Sequence, residues 1–204
     1  MTIDALVAML SCIEVDGRNQ SHAIVEDDEA KHAPKPSRGA APLLKRITLE
    51  NIGKSELLVL PDKAKGKSGV MSPLLSTSSG KDKNRSCDGL LIRVCEPRAD
   101  GVIPIELGYF DLKSGNPTGY SGQFLSTRCF VQGYVITLLS AFYGKQCEVV
   151  RERFIIFHTD KSDKVPSMQK KRSMPIAASA CTFSNAEKYI VKNEQTIPAY
   201  RILS

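Results

Sequence analysis

Val102-Ile103-Pro104-Ile105-Glu106-Leu107-Gly108-Tyr109-Phe110-Asp111-Leu112-Lys113 is an apolar run that ends in an acid and a base. Its length and composition predict a strand over 102–112. Residues two apart on a strand share a face, so Asp111 and Lys113 project together from its end. Upstream, Gly89-Leu90-Leu91-Ile92-Arg93-Val94 reads as a second strand, and a turn over 96–101 with Pro97 and Gly101 joins the two as an antiparallel hairpin. Downstream, 115–122 is a turn-rich link. Phe124, Val131, Tyr134, Val135, Leu138, Leu139 and Phe142 then recur near the helical period over 123–143, with Gly144 placed to stop the helix. The stretch 148–158, with Val149, Val150, Phe154, Ile155, Ile156 and Phe157, is strongly β-prone. Strand, long helix, strand is a βαβ crossover, and together with the hairpin it predicts an α/β fold.

The flanks carry weaker patterns. Ile3, Leu6, Val7 and Leu10 have helical spacing, which predicts a short first helix over 3–13 with Thr2 as its cap. The polar segment 14–42, with Pro34 and Pro36, reads as a flexible loop or insertion. Apolar character returns over 43–60, where Leu57-Leu58-Val59-Leu60 predicts a strand or the end of a helix. The Lys-, Gly- and Ser-rich stretch 62–86 reads as a second flexible insertion and 161–172 as a basic linker. The tail has the pattern for one more helix and a short edge strand. With 204 residues, 42% of them hydrophobic, and no internal repeat, the expectation is a single domain over 1–204.

Composition excludes more than it selects. A formal charge of +6 and a sequence pI of about 9.0 are compatible with nucleic acid without requiring it. Cys12, Cys87, Cys95, Cys129, Cys147 and Cys181 form no CxxC pair, which points to reduced thiols, and no apolar stretch approaches a membrane span, so the expectation is a cytoplasmic protein. Neither GxxxxGK[ST] nor GxGxxG occurs, which argues against a kinase or a nucleotide-driven motor. A Cys/His hydrolase is disfavoured because no local signature joins Cys129 to His22, His32 or His158.

The chemistry concentrates around the first-quoted strand. Asp88 stands at the mouth of the neighbouring strand, so Asp88, Asp111 and the carbonyl of Leu112 offer oxygen ligands suited to a hard cation such as Mg²⁺. Lys113 can then orient or deprotonate an attacking water and stabilise the negative charge of a phosphodiester under attack. Glu106 is a further acid on the same run, able to approach the metal if the strand bulges at Gly108.

Cys87-Asp88-Gly89-Leu90-Leu91-Ile92, then Tyr109-Phe110-Asp111-Leu112-Lys113-Ser114-Gly115, then Gln123 opening a long helix, resembles the PD-(D/E)XK nuclease superfamily, in particular its RecB-like branch, over roughly 86–158. The resemblance implies a restriction-endonuclease-like mixed sheet with helices on both faces. It also implies Mg²⁺ or Mn²⁺ held by Asp88 and Asp111, with Lys113 and Gln123 completing a catalytic set. Family members often add a Glu from an N-terminal helix, for which Glu50 and Glu56 are both candidates. The implied activity is metal-dependent hydrolysis of nucleic acid, DNA ahead of RNA, with room for a protein partner that supplies specificity. The alternative is a non-catalytic nucleic-acid-binding or assembly subunit of the same fold. The Lys-rich segments are either simply solvated or in contact with phosphates.

Overall fold

The computed structural model describes residues 2–10, 13–16, 23–26, 43–61, 85–114, 119–159 and 182–204. Its centre is a six-stranded sheet in the order β1-β4-β5-β6-β7-β8, formed by β1 (Ile13–Asp16), β4 (Glu56–Val59), β5 (Gly89–Val94), β6 (Ile103–Lys113), β7 (Cys147–His158) and β8 (Glu187–Ile190). The β5–β6 pair is the expected antiparallel hairpin, with Gly89 opposite Phe110 and Val94 opposite Ile105. The β6–β7 pair is parallel and pairs Lys113 with His158. The sheet is therefore mixed: β1, β4, β5 and β6 alternate in direction, and β6, β7 and β8 run together.

Crossing from β6 to β7 are α2 (Ser121–Phe130), a single π turn (Val131–Val135) and α3 (Ile136–Tyr143), which covers the expected helix within two residues. Gly144 ends α3 in the left-handed conformation at φ 60°, where a residue with a Cβ is disfavoured. Phe124, Thr127, Val131, Val135 and Leu139 all turn toward the sheet and are buried. Steps of four residues overshoot a turn of plain α-helix by about 40° each. The π turn, closed by the Ile136 N–H on the Val131 carbonyl, takes up that drift.

Apolar residues alternate through β5 and β6 to both faces, because both faces are covered. On one face Leu90, Ile92, Leu107, Tyr109, Phe154 and Ile156 meet the crossover helices and α1 (Thr2–Met9). On the other, Leu91, Phe110, Leu112, Ile155 and Phe157 meet α4 (Tyr200–Leu203) and a second sheet of β2 (Ala23–Glu26), β3 (Arg46–Glu50) and β9 (Thr196–Pro198), in the order β2-β3-β9. Among the described residues, one short helix and three strands cover this face. Gly108 lies on this face, and a Cβ there would stand 2.3 Å from Cγ2 of Ile202, so the glycine lets α4 approach the sheet.

The first helix ends at Met9, and Ile13 already belongs to β1. The 14–42 segment, expected as a loop throughout, contributes β1 to the edge of the large sheet and β2 to the small one. The rest of that segment, most of 62–86 and all of 161–172 lie outside the described residues. The tail supplies the expected helix and edge strand as α4 and β8. Cys87, Cys95, Cys129 and Cys147 are free thiols. Among the described residues, no helix is long and apolar enough to cross a membrane.

Glu152 of β7 fixes the phase of the crossover helix. Its carboxylate accepts from Arg128 Nε at 2.9 and 3.0 Å, from Gln132 Nε2 at 2.7 Å and from the Tyr109 hydroxyl at 3.2 Å. Burial, and then the Glu152 charge, push the Tyr109 phenol well above its ordinary range. The folded state therefore keeps this proton to higher pH than the unfolded chain. Stability from Tyr109 is intact below pH about 10 and is lost above it at about 1.4 kcal/mol per pH unit. Denaturant titrations between pH 9 and 11.5 are expected to show a shallower loss in Tyr109→Phe than in wild type. Identical slopes would remove Tyr109 as the cause.

Candidate active site

The C-terminal end of β6 gathers the residues singled out by sequence. Asp88 precedes the first β5–β6 pair by one residue, which sets it across from Asp111. Its Oδ2 accepts the Leu112 N–H at 2.6 Å. An extended residue directs its N–H and C=O to the same side, so the Leu112 carbonyl also faces the Asp88 edge. Lys113 Nζ stands 2.8 Å from Asp111 Oδ2 and donates to Gln123 Oε1 at 3.0 Å. Asp88, Asp111, Leu112, Lys113 and Gln123 are thus brought together, from two strands and the start of α2.

Asp111 is fully buried, yet neither carboxylate oxygen has a hydrogen-bond partner among the described residues. The Lys113 ammonium is close enough for an ion pair with Oδ2 but lacks hydrogen-bond alignment, and Oδ1 has neither. A buried carboxylate in this condition is costly unless another group completes it. Hard divalent cations take carboxylate and carbonyl oxygens and keep several waters, so Asp111, Asp88 and the Leu112 carbonyl fit Mg²⁺ or Mn²⁺ as a donor set. Among the described residues, no group of three or more His, Cys, Asp or Glu side chains converges on one point. Among the described residues, the acids at this end of β6 are two.

The other acids considered from sequence lie elsewhere. Glu106 is on the opposite face of β6 from Asp111 and, at about 3.3 Å per residue, some 16 Å along it. The bulge invoked at Gly108 does not occur. The β5–β6 register is unbroken, and the irregularity falls between Ile105 and Glu106 on the β7 side, where Val150 is the extra residue. Glu106 and Glu56 instead flank Arg93 in a row across the sheet, at 2.8 Å for each ion pair, with Arg151 beyond Glu106. Glu56 Oε2 also accepts the Gly53 N–H at 2.7 Å. Glu50 lies at the far end of β3 from Leu44, whose N–H is the one that meets Ser114 Oγ beside the site.

Two residues not assigned here by sequence join the neighbourhood. His158 is the register partner of Lys113 and, being two residues beyond Ile156, shares the face of Asp111 and Lys113; its Nδ1 lies 3.2 Å from the Thr159 carbonyl. Thr127, buried on α2, accepts the Cys87 N–H on its hydroxyl at 3.0 Å. The signal for Thr127 is faint but present, a polar residue four positions after Gln123 on the inward face of the helix. His22 and His32 are outside the described residues. Comparison with protein-family models, with curated proteins and with solved structures finds no match, so the meaning of this site rests on its own geometry.

Proposed function

We propose that the chain is a divalent-metal-dependent nuclease of restriction-endonuclease-like fold, hydrolysing phosphodiester bonds of DNA or RNA at the end of β6. The observation that carries this reading is the buried Asp111 carboxylate, incompletely partnered, beside Asp88 and the Leu112 carbonyl, with Lys113 held by Gln123. A bound Mg²⁺ or Mn²⁺ would neutralise developing phosphate charge and activate water. Asp88, Asp111 and the Leu112 carbonyl would hold it. Lys113 sits within reach of the same centre, where an ammonium stabilises negative charge on the phosphate oxygens and orients the attacking water. Gln123, by accepting from Nζ, keeps that side chain from swinging into solvent.

The test is cleavage of single- and double-stranded DNA and RNA by the purified chain with Mg²⁺ or Mn²⁺ and with chelator. Wild type is expected to cut at least one substrate class only with metal, and Lys113→Ala to lose roughly 10²–10⁴-fold, equivalent to about 3–5 kcal/mol of transition-state stabilisation. Equal products from wild type and Lys113→Ala would defeat the enzymatic reading. The two-acid composition of the site favours one second reading, a non-catalytic nucleic-acid-binding subunit. Binding with a steep salt dependence and no cleavage by any form would select it.

A further inference from the structure

Gln123 and Asp88 belong to different elements, and the active-site reading requires both to hold fixed positions around Asp111. One hydroxyl connects them. Thr127 Oγ1 donates to the Gln123 carbonyl at 3.0 Å, the ordinary bond of a helical threonine to the residue four back. The same oxygen accepts the N–H of Cys87, the residue before Asp88, at 3.0 Å and across 40 positions of sequence. A hydroxyl has one donor and two acceptor sites, so it makes both bonds at once.

These bonds close a ring. The Leu112 N–H binds Asp88, the Cys87 N–H binds Thr127, Thr127 binds the Gln123 carbonyl, Gln123 Oε1 accepts Lys113 Nζ, and Lys113 follows Leu112 in the chain. Asp111 lies within it, paired to Lys113 and across from Asp88. Thr127 is fully buried, so its hydroxyl is shielded from bulk solvent. We propose that Thr127 is a positioning residue, whose hydroxyl bridge from α2 to the Asp88 turn sets the separation of Asp88 from the Lys113–Gln123 pair and thereby the affinity of the site for a divalent cation.

The inference rests on the metal-site reading, and its test separates the two. Thr127→Val keeps the shape and removes the hydroxyl, whereas Thr127→Ser keeps the hydroxyl. Two readouts apply to the full chain: hydrogen exchange at the Leu112 amide, which reports whether Asp88 still accepts its N–H, and Mn²⁺ affinity from the paramagnetic resonance of the free ion. In Thr127→Val, Leu112 exchange is expected to quicken at least ten-fold and Mn²⁺ affinity to fall roughly 10–100-fold, as for loss of a residue that orients a ligand. Thr127→Ser is expected to restore both. Wild-type exchange and affinity in Thr127→Val would overturn the proposal, as would a Thr127→Ser variant impaired as much as the valine form. If Thr127→Val does not fold, Thr127→Ser decides alone: wild-type values support the hydroxyl bridge and loss of either overturns it. Should wild type bind no Mn²⁺, the metal reading falls with the affinity claim, and Leu112 exchange still decides whether Thr127 holds Asp88.

Discussion

Asp111→Asn is expected to abolish cation-dependent stabilisation while leaving the metal-free protein as stable as wild type, or more so. The reasoning starts from burial. Asp111 is fully inaccessible, Oδ1 has no partner among the described residues, and the counter-charge comes from a lysine that is itself 23% exposed and also bonded to Gln123. Replacing that carboxylate by a neutral isostere removes the cost of a poorly completed buried charge, and Lys113 keeps Gln123 and access to water. A ligand at 100 times its dissociation constant stabilises a fold by about 2.7 kcal/mol. Wild type should gain about that much from saturating Mn²⁺ in a denaturant titration, and Asp111→Asn almost none. Any nuclease activity should fall by roughly 10²–10⁴-fold in the same variant. Equal Mn²⁺-dependent stabilisation in both proteins would show that Asp111 is not a ligand. A metal-free Asp111→Asn that is weaker by several kcal/mol would show that the carboxylate already serves the fold.

Glu187→Ala is the substitution expected to cost the fold most, about 3–5 kcal/mol, because it strands a buried guanidinium. Arg153 and Glu187 face each other from β7 and β8 with two bonds, at 3.0 and 2.7 Å, and both residues are under a tenth exposed. Burial alone would pull the Arg153 pKa down, but the Glu187 hydrogen bonds and charge outweigh it and leave it raised. The same guanidinium donates to the Arg201 carbonyl at 2.7 Å, so the pair also tethers α4. Removing the carboxylate leaves the cation with a carbonyl and the Tyr189 hydroxyl, which carry no compensating charge. Urea midpoints measure the loss. The double variant Arg153→Met, Glu187→Leu should recover most of it, since apolar residues of similar volume carry no desolvation cost. A loss under about 1 kcal/mol in Glu187→Ala would mean that water reaches Arg153 after all.

What could be read from the chain, and what could not, divides along the range of the interactions. The β5–β6 hairpin, the crossover helix and β7 were legible because each repeats an apolar pattern longer than its neighbours can disturb. β1 and β2 were not. Each is four residues long and holds its place by pairing with β4 or β3, a partner at least 20 positions away. The candidate site followed the same rule. Asp88, Asp111 and Lys113 were nameable because the hairpin register is local, and Gln123 because the resemblance supplied it. Excluding Glu106 required the position of the bulge, which is decided by how β7 lies along β6. Excluding Glu56 required the Arg93 row, which spans three strands. Thr127 bonds to a residue 40 positions away, and its inward-facing place on the helix, the one local signal, does not name that partner.

The π turn between α2 and α3 has an evolutionary consequence. A π turn is equivalent to one residue inserted into an α-helix. The half that carries Gln123 and Thr127 is anchored to the strands through Lys113 and Cys87, and the half beyond it packs Leu139 into the same core as α1. The inserted turn lets the two halves keep separate rotational settings. A lineage can therefore gain or lose a residue near the exposed Gly133 and repack the distal half, without turning Gln123 away from Lys113. The helix is a joint that absorbs changes in length, and the geometry of the candidate site is insulated from drift on its far side.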